Sequence, residues 1–498
     1  MTLPRQRASA IIEKQKMRPP LHLIDGNLVE SSGNETIRII NPADNTSIGR
    51  IASGSATDID AAIQSSREIF RSRWSSVTGS KREELLHNLA NALEKDADNL
   101  AILESLQTGK TYREVLVQDL AFGVQVLRYY AGLVTKAKRT SHSMNRVMSG
   151  HVNTEPYEVV GALLSWKAPL LTAISRVAEA IAAGTTIILK PSELAPLTTL
   201  RLGELALEAG IPRGVINVVT GHGSKTGQAL ALHPQLGAIH FSGSIENGRH
   251  ILVASAKSNL KPVSLSMGGK SANIIFEDAD LRSACTAAWK AIFSHRGGRS
   301  IAGSRLLVHD SIYDQVVQVI TQRAREISLG DPLDEHTEMG PVISEEHLKR
   351  VLGYISLGRK ENARLVAGGG RDVVGLRAQG YFVQPTVFMN VKPEMRIAQE
   401  EIPGPVLAII RFKDDDDALQ IANDTEYGMA SAIWTQDINR IQRFTRDLRC
   451  GTVWTNCYGV LDPAIPFGGI GLSGYSREFG ENSLSQFCYE KSVFVQSK

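Results

Sequence analysis

Between about residues 56 and 137, apolar residues recur at a spacing near 3.6, as in Ala61-Ala62-Ile63 and Leu85-Leu86-His87-Asn88-Leu89. That period predicts a mostly helical region. Beyond it, short wholly apolar runs alternate with amphipathic ones. Residues 159–164, 186–189, 215–219 and 238–241 read as buried strands, with helices over 175–183 and 197–209 between them. A second series begins near 272, with strands over 272–276 and 304–308 and an amphipathic helix over 310–327. This βαβα order predicts an α/β fold of parallel sheets covered by helices on both faces. Residues 492–495 form a last apolar run, read as a terminal strand that needs a partner edge, here expected on another subunit.

Length and composition narrow the class. The chain has 498 residues, 42% hydrophobic and 21% charged, which excludes disordered and fibrous chains. The length suggests about three domain-sized units. The 55 basic residues nearly match the 52 acidic ones, so no nucleic-acid partner is expected. No apolar run reaches the roughly 18 residues of a membrane span. The first 20 residues carry Arg5, Arg7, Lys14, Lys16 and Arg18 without an apolar segment, unlike a secretory signal, and read as a mobile extension. The four cysteines, Cys285, Cys450, Cys457 and Cys488, form no CxxC pair and no metal or disulfide spacing. They point to a reducing compartment, the cytoplasm, and no metal site is expected. The acidic run Asp414 to Asp417 reads as carboxylates complementing a helix start rather than as a cation site.

Two segments carry the chemistry of a nucleotide. Lys190-Pro191-Ser192-Glu193 follows a strand, at the sheet edge where open α/β sheets bind ligands. Lys190 is suited to ribose hydroxyls or a phosphate and Glu193 to ribose hydroxyls. By themselves the two read better as a surface ion pair. Phe241-Ser242-Gly243-Ser244 lies between a strand and a helix, where free N–H groups can hold a pyrophosphate. Its spacing is not GxGxxG, so it is equally an ordinary capped helix start.

Together with Asn41-Pro42, Gln107-Thr108-Gly109-Lys110, Gly268-Gly269-Lys270-Ser271, Ala302-Gly303-Ser304-Arg305, Gln399-Glu400-Glu401-Ile402, Gly404-Pro405-Val406 and Pro466-Phe467-Gly468-Gly469, these segments resemble the aldehyde dehydrogenase superfamily from about residue 20 to the end. Asn456-Cys457-Tyr458 and Asp462-Pro463-Ala464 are most similar to its betaine- and aminoaldehyde-oxidising branches. The resemblance implies a Rossmann-like cofactor domain over 1–137 and 158–266, a catalytic α/β domain over 267–477, and a β-strand oligomerisation arm over 138–157 and 478–498. It implies a homodimer or homotetramer. It also implies NAD or NADP, held through Trp166, Lys190, Ser192, Glu193, Ser242, Gly243, Ser244 and Glu401. Glu193 tends to repel a 2′-phosphate, which favours NAD.

The chemical positions depart from the family pattern. Aldehyde oxidation needs a thiolate nucleophile, a donor for the oxyanion and a carboxylate that activates water. On the resemblance, the Cys position holds Ser300, the general-base Glu position holds Ser266, and the oxyanion Asn position holds Lys167. Pro403 also stands where the family usually has Phe, and Gly471 where it has Lys. A substitute nucleophile at Cys457 reads less well than a buried structural thiol. Three readings follow. The first is a family member that binds a nucleotide or small ligand without oxidising aldehydes. In the second, Ser300 and Lys167 form a nucleophile–base pair for ester, thioester or Schiff-base chemistry, unless Lys167 is charged and paired with a carboxylate. The third is residual NAD-dependent oxidation. If Lys167, His295, Arg296 and Arg299 face the pocket, the ligand is expected to be anionic.

Overall fold

The computed structural model describes residues 3–136, 141–143 and 148–496. Two seven-stranded sheets dominate it. The first runs in the order Val263–Ser266, Ala238–Ser242, Val159–Leu163, Thr186–Lys190, Ile216–Val218, Leu21–Ile24, Asn27–Glu30. Its first five strands are parallel, and the last two form an antiparallel hairpin. The second sheet runs Arg364–Ala367, Thr386–Met389, Val406–Phe412, Arg305–His309, Ala272–Ile275, Ala430–Trp434, Thr452–Thr455. It is parallel apart from its first, antiparallel edge strand.

The central strands of both sheets are buried on both faces, which is why they read as unbroken apolar runs rather than alternating ones. Along Thr186–Lys190, Ile187 and Leu189 enter one core while Ile188 enters the core on the opposite face. In the second sheet Ile274 and Leu307 face one core, and Ile275 and Leu306 the other. Helices supply the covering layers. Ala56–Ser72 opens with a capping box between Ser55 and Asp58 and buries Ile59, Ala62 and Ile63. Pro169–Ala183 starts with Pro at its first position and stops at Gly184, whose φ of 87° lets the chain turn left-handed.

The terminal strand Cys488–Gln496 pairs antiparallel with Met148–Pro156 over nine residue pairs, so its partner edge lies within the same chain rather than on another subunit. Met148–Pro156 also pairs with Ser141–Ser143. The C-terminal strand is left at the edge of this small sheet. Residues 138–140, 144–147 and 497–498 of the expected arm lie outside the described residues.

The basic N-terminus differs from the expected mobile extension. Leu3–Met17 is a helix that buries Ala8. Arg5 reaches Asp331 at 2.9 Å, and Arg18 pairs with Glu204. Arg5, Arg7 and Arg18 find carboxylates on the body of the protein, which the local sequence could not show. Asp414 is the N-cap of Asp415–Asn423, its carboxylate accepting from the Asp417 N–H at 3.0 Å, as the acidic run predicted. Among the described residues, no helix is long and apolar enough to cross a membrane.

Candidate functional site

Four of the five parallel strands of the first sheet end at Leu163, Lys190, Ser242 and Ser266. The loops leaving those ends carry the expected nucleotide positions to one edge, as the topology of an open parallel sheet requires. Lys190 is only 4% exposed, so its pair with Glu193 (Nζ to Oε2, 3.4 Å) is not the surface ion pair the sequence suggested. Burial lowers the Lys190 ammonium. Burial, the largest single influence, would raise the Glu193 carboxyl, but the Lys190 charge, hydrogen bonds from Lys190 and its own backbone N–H, and His222 together hold it below its usual range. Ser192 Oγ accepts from the Leu194 N–H. Gly243 sits against the Phe241 ring, which a Cβ would overlap. Ser244 caps the helix Ile245–Lys257, accepting from the Asn247 N–H at 3.3 Å. The first-turn N–H groups of a helix have no intrahelical acceptor, so this end suits an anion.

The three substituted positions converge. Lys167, Ser266 and Ser300, with Ser242 and Gly243, line one cavity of about 100 Å³ whose apolar walls include Leu171, Phe467 and Phe479. Lys167 Nζ donates to Glu401 Oε1 at 2.5 Å, with both side chains less than a fifth exposed. The carboxylate pairing weighed against a Ser300–Lys167 dyad is therefore the arrangement present. Ser300 Oγ makes no hydrogen bond among the described residues. The Glu401 carboxylate lies over Gly268, where any Cβ would collide with it, and its backbone N–H meets the Tyr427 hydroxyl. Lys270 is buried just beyond, without a hydrogen-bond partner among the described residues, and burial pushes its ammonium down to about 7. Trp166 packs edge-on against His347 at 4.8 Å. The His347 Nε2–H donates to the Pro403 carbonyl, so the unusual Pro403 anchors this corner through its backbone. Cys457 does not line the cavity and packs, partly buried, against the core.

The loop before Ser300 is held from behind. His295, Arg296 and Gly297 have consecutive φ values of 51°, 57° and 67°, a left-handed run that non-glycine residues adopt only when their surroundings over-determine it. The His295 N–H donates to Glu114 Oε1 at 2.6 Å, and its ring pairs with Gln118 Oε1 at 2.8 Å. Burial and neighbouring cations keep that imidazole neutral at ordinary pH. Arg296 is 2% exposed. Burial lowers its guanidinium to about 10, partly offset by Glu114, Asp119 and Glu104. Lys110 and Asp119 form a fully buried pair, and Arg299 lies 3.8 Å from the same carboxylate. Of the four basic residues expected to face the pocket, His295 and Arg296 thus turn into the protein. Lys167 lines the cavity but is paired, and Arg299 borders it.

A second buried network was not foreseen. Arg176 bridges Glu179 at 2.8 Å and Glu478 at 3.0 Å. Glu179 also accepts from the Tyr130 hydroxyl and the Phe479 N–H, and Glu478 lines the Ser300 cavity. The charged residues at 176 and 179 sit one turn apart in an otherwise uncharged helix, and that was the available signal.

Two helix-covered parallel sheets, nucleotide-type loops at the strand ends and a cavity between them define an α/β protein of dehydrogenase architecture. The chain belongs to the aldehyde dehydrogenase family, whose sequence profile matches residues 28–493. An aldehyde dehydrogenase of Agaricus bisporus is 39% identical over 473 residues, 95% of this chain and 94% of the relative. The NAD+ complex of an aldehyde dehydrogenase from Bacillus cereus superposes with a TM-score of 0.95 at 37% identity, covering 99% of each chain. Betaine aldehyde dehydrogenase from Staphylococcus aureus, in complex with NAD+, gives 0.96 at 36% identity over 99% of this chain and 98% of that one.

Proposed function

We propose that this family member binds a nicotinamide nucleotide and a small molecule but does not oxidise aldehydes, acting by binding or assembly. The observation that carries the reading is the state of the reaction centre. Ser300 stands at the nucleophile position with no base bonded to it, and Ser266 offers a hydroxyl where a carboxylate would activate water. Lys167, at the oxyanion-donor position, is spent on Glu401. A serine needs a base to attack, and a hydroxyl does not accept a water proton near neutral pH.

Retention of the nucleotide is part of the proposal, with NAD preferred over NADP. Lys190, Ser192 and Glu193 and the capped helix start after Gly243 fit the adenosine and phosphate side. When bound, NAD would supply the hydride acceptor. On the nicotinamide side, Glu401 has first to leave Lys167. The NAD+ complexes of the structural relatives support this reading. The domain limits proposed are 1–137 with 158–266 for the cofactor part, 267–477 for the catalytic-type part, and 138–157 with 478–498 for the arm. A homodimer or homotetramer built on the exposed edge of Cys488–Gln496, and a cytoplasmic setting suited to four free thiols, complete the proposal.

Calorimetric titration of the full chain with NAD and NADP tests it. Saturable NAD binding, without NADH formation on a broad aldehyde panel, is expected. Turnover that disappears in Ser300→Ala overturns the reading.

A further inference from the structure

A larger cavity of about 610 Å³ adjoins the one beside Ser300, and Arg299 and Ile301 line both. One wall of the outer cavity is the helix Leu281–Phe293, where Arg282, Thr286 and Lys290 follow at four-residue spacing and so share a face. Across from it stand Gln118 and Tyr458. Three cations line this cavity and no carboxylate does. Arg282 and Lys290 have no ion-pair partner among the described residues. The nearest acidic neighbour on the helix, Asp280, is spent as its N-cap on the Ser283 hydroxyl and two backbone N–H groups. Gln118 gives its carbonyl oxygen to His295, which leaves its amide N–H groups free to donate. Lys290 also complements the end of its helix dipole and lies 5.6 Å from the Trp289 ring centroid, contacts that leave its ammonium without a carboxylate while it lines the cavity.

We propose that the outer cavity is an oxyanion site: Arg282, Lys290 and Arg299 hold the carboxylate or phosphate end of a small molecule whose uncharged end enters the inner cavity beside Ser300. This rests on the ligand-binding part of the proposed function and not on the loss of oxidation. Arg299 keeps Asp119 at 3.8 Å behind it, but Arg282 and Lys290 face no carboxylate across the cavity, and such cations focus a positive potential in a concave site and raise the local concentration of anions. The two ends of the ligand are told apart by charge in the outer cavity and by apolar walls in the inner one.

The test is calorimetric titration of the full chain at low salt with pentanoate, with its neutral amide pentanamide, and with inorganic phosphate. Wild type is compared with Lys290→Ala and with the Arg282→Ala/Lys290→Ala double variant. Both side chains are exposed on a helix, and circular dichroism confirms folding. Pentanoate is expected to bind, to weaken about tenfold in the double variant as charge-assisted contacts are lost, and to weaken further with added salt. Pentanamide should bind far less. Competition by phosphate identifies a general oxyanion site, and its absence a carboxylate site. Equal binding of pentanamide, no effect of the double variant, or no binding of any probe overturns the proposal. Aldehyde oxidation by the wild type would overturn the proposed function and leave these binding results standing.

Discussion

Replacing Lys167 with Asn should tighten NAD binding. In the structure the Lys167 ammonium and the Glu401 carboxylate are 2.5 Å apart and mostly shielded from water. If Glu401 is the acceptor for the nicotinamide ribose, as the family resemblance implies, the nucleotide must first take it from Lys167. A hydrogen bond to a charged group contributes about 1.5–3 kcal/mol net, which corresponds to roughly a 10- to 100-fold penalty in Kd. The ammonium also opposes a cationic nicotinamide ring, and its removal acts in the same direction. The assay is calorimetric NAD titration of wild type, Lys167→Asn, Glu401→Gln and the double variant. Lys167→Asn should bind about tenfold more tightly or better, and the gain should vanish in the Glu401→Gln background, because the two residues act as one unit. Unchanged or weaker NAD binding by folded Lys167→Asn would refute the reasoning.

Other expectations concern the buried charges. Burial raises the Glu179 carboxyl from 4.5 to about 7, with Arg176 opposing the rise. Because the folded-state value lies above the unfolded one, this group's contribution to stability is complete below about pH 4.5 and is lost as the pH rises through about 7. Glu179→Gln should therefore gain stability relative to wild type between pH 5 and 8, by at most about 3 kcal/mol; a pH-independent difference in denaturation midpoint would contradict it. Asp119→Ala leaves Lys110 buried without its partner and Arg299 without a nearby carboxylate. It should cost about 3–5 kcal/mol in urea denaturation, and a loss under about 1 kcal/mol would argue that water reaches the pair.

The parallel strands were legible because strands buried on both faces leave runs such as Thr186-Ile187-Ile188-Leu189, and sequence neighbours in βαβ units are neighbours in space. The hairpin Leu21–Ile24 with Asn27–Glu30 was missed, although Asp25-Gly26 between two short apolar stretches is a turn signal; both turn residues have positive φ. Lys167, Ser266 and Ser300 were singled out one by one by resemblance, and the fold places them around one cavity. Which carboxylate Lys167 would meet was not legible, since Glu401 lies 234 residues away. A separation of 181 residues between His295 and Glu114 likewise hid the fate of His295 and its neighbour Arg296. Their partners, Glu114 and Asp119, sit on a segment whose local pattern shows only a helix. The outer cavity escaped notice for a related reason. Arg282 and Lys290 look like ordinary solvated positions on an amphipathic helix until the Gln118 wall is set against them.

The central claim is that the scaffold persists while the oxidation chemistry has gone, and NADH fluorescence during incubation with NAD and an aldehyde panel tests it most directly. The account predicts no NADH from the wild type, and measurable NADH from Ser300→Cys/Ser266→Glu/Lys167→Asn, which returns a thiol, a base and an uncharged donor to one cavity. NADH formation by the wild type, abolished by Ser300→Ala, would contradict it.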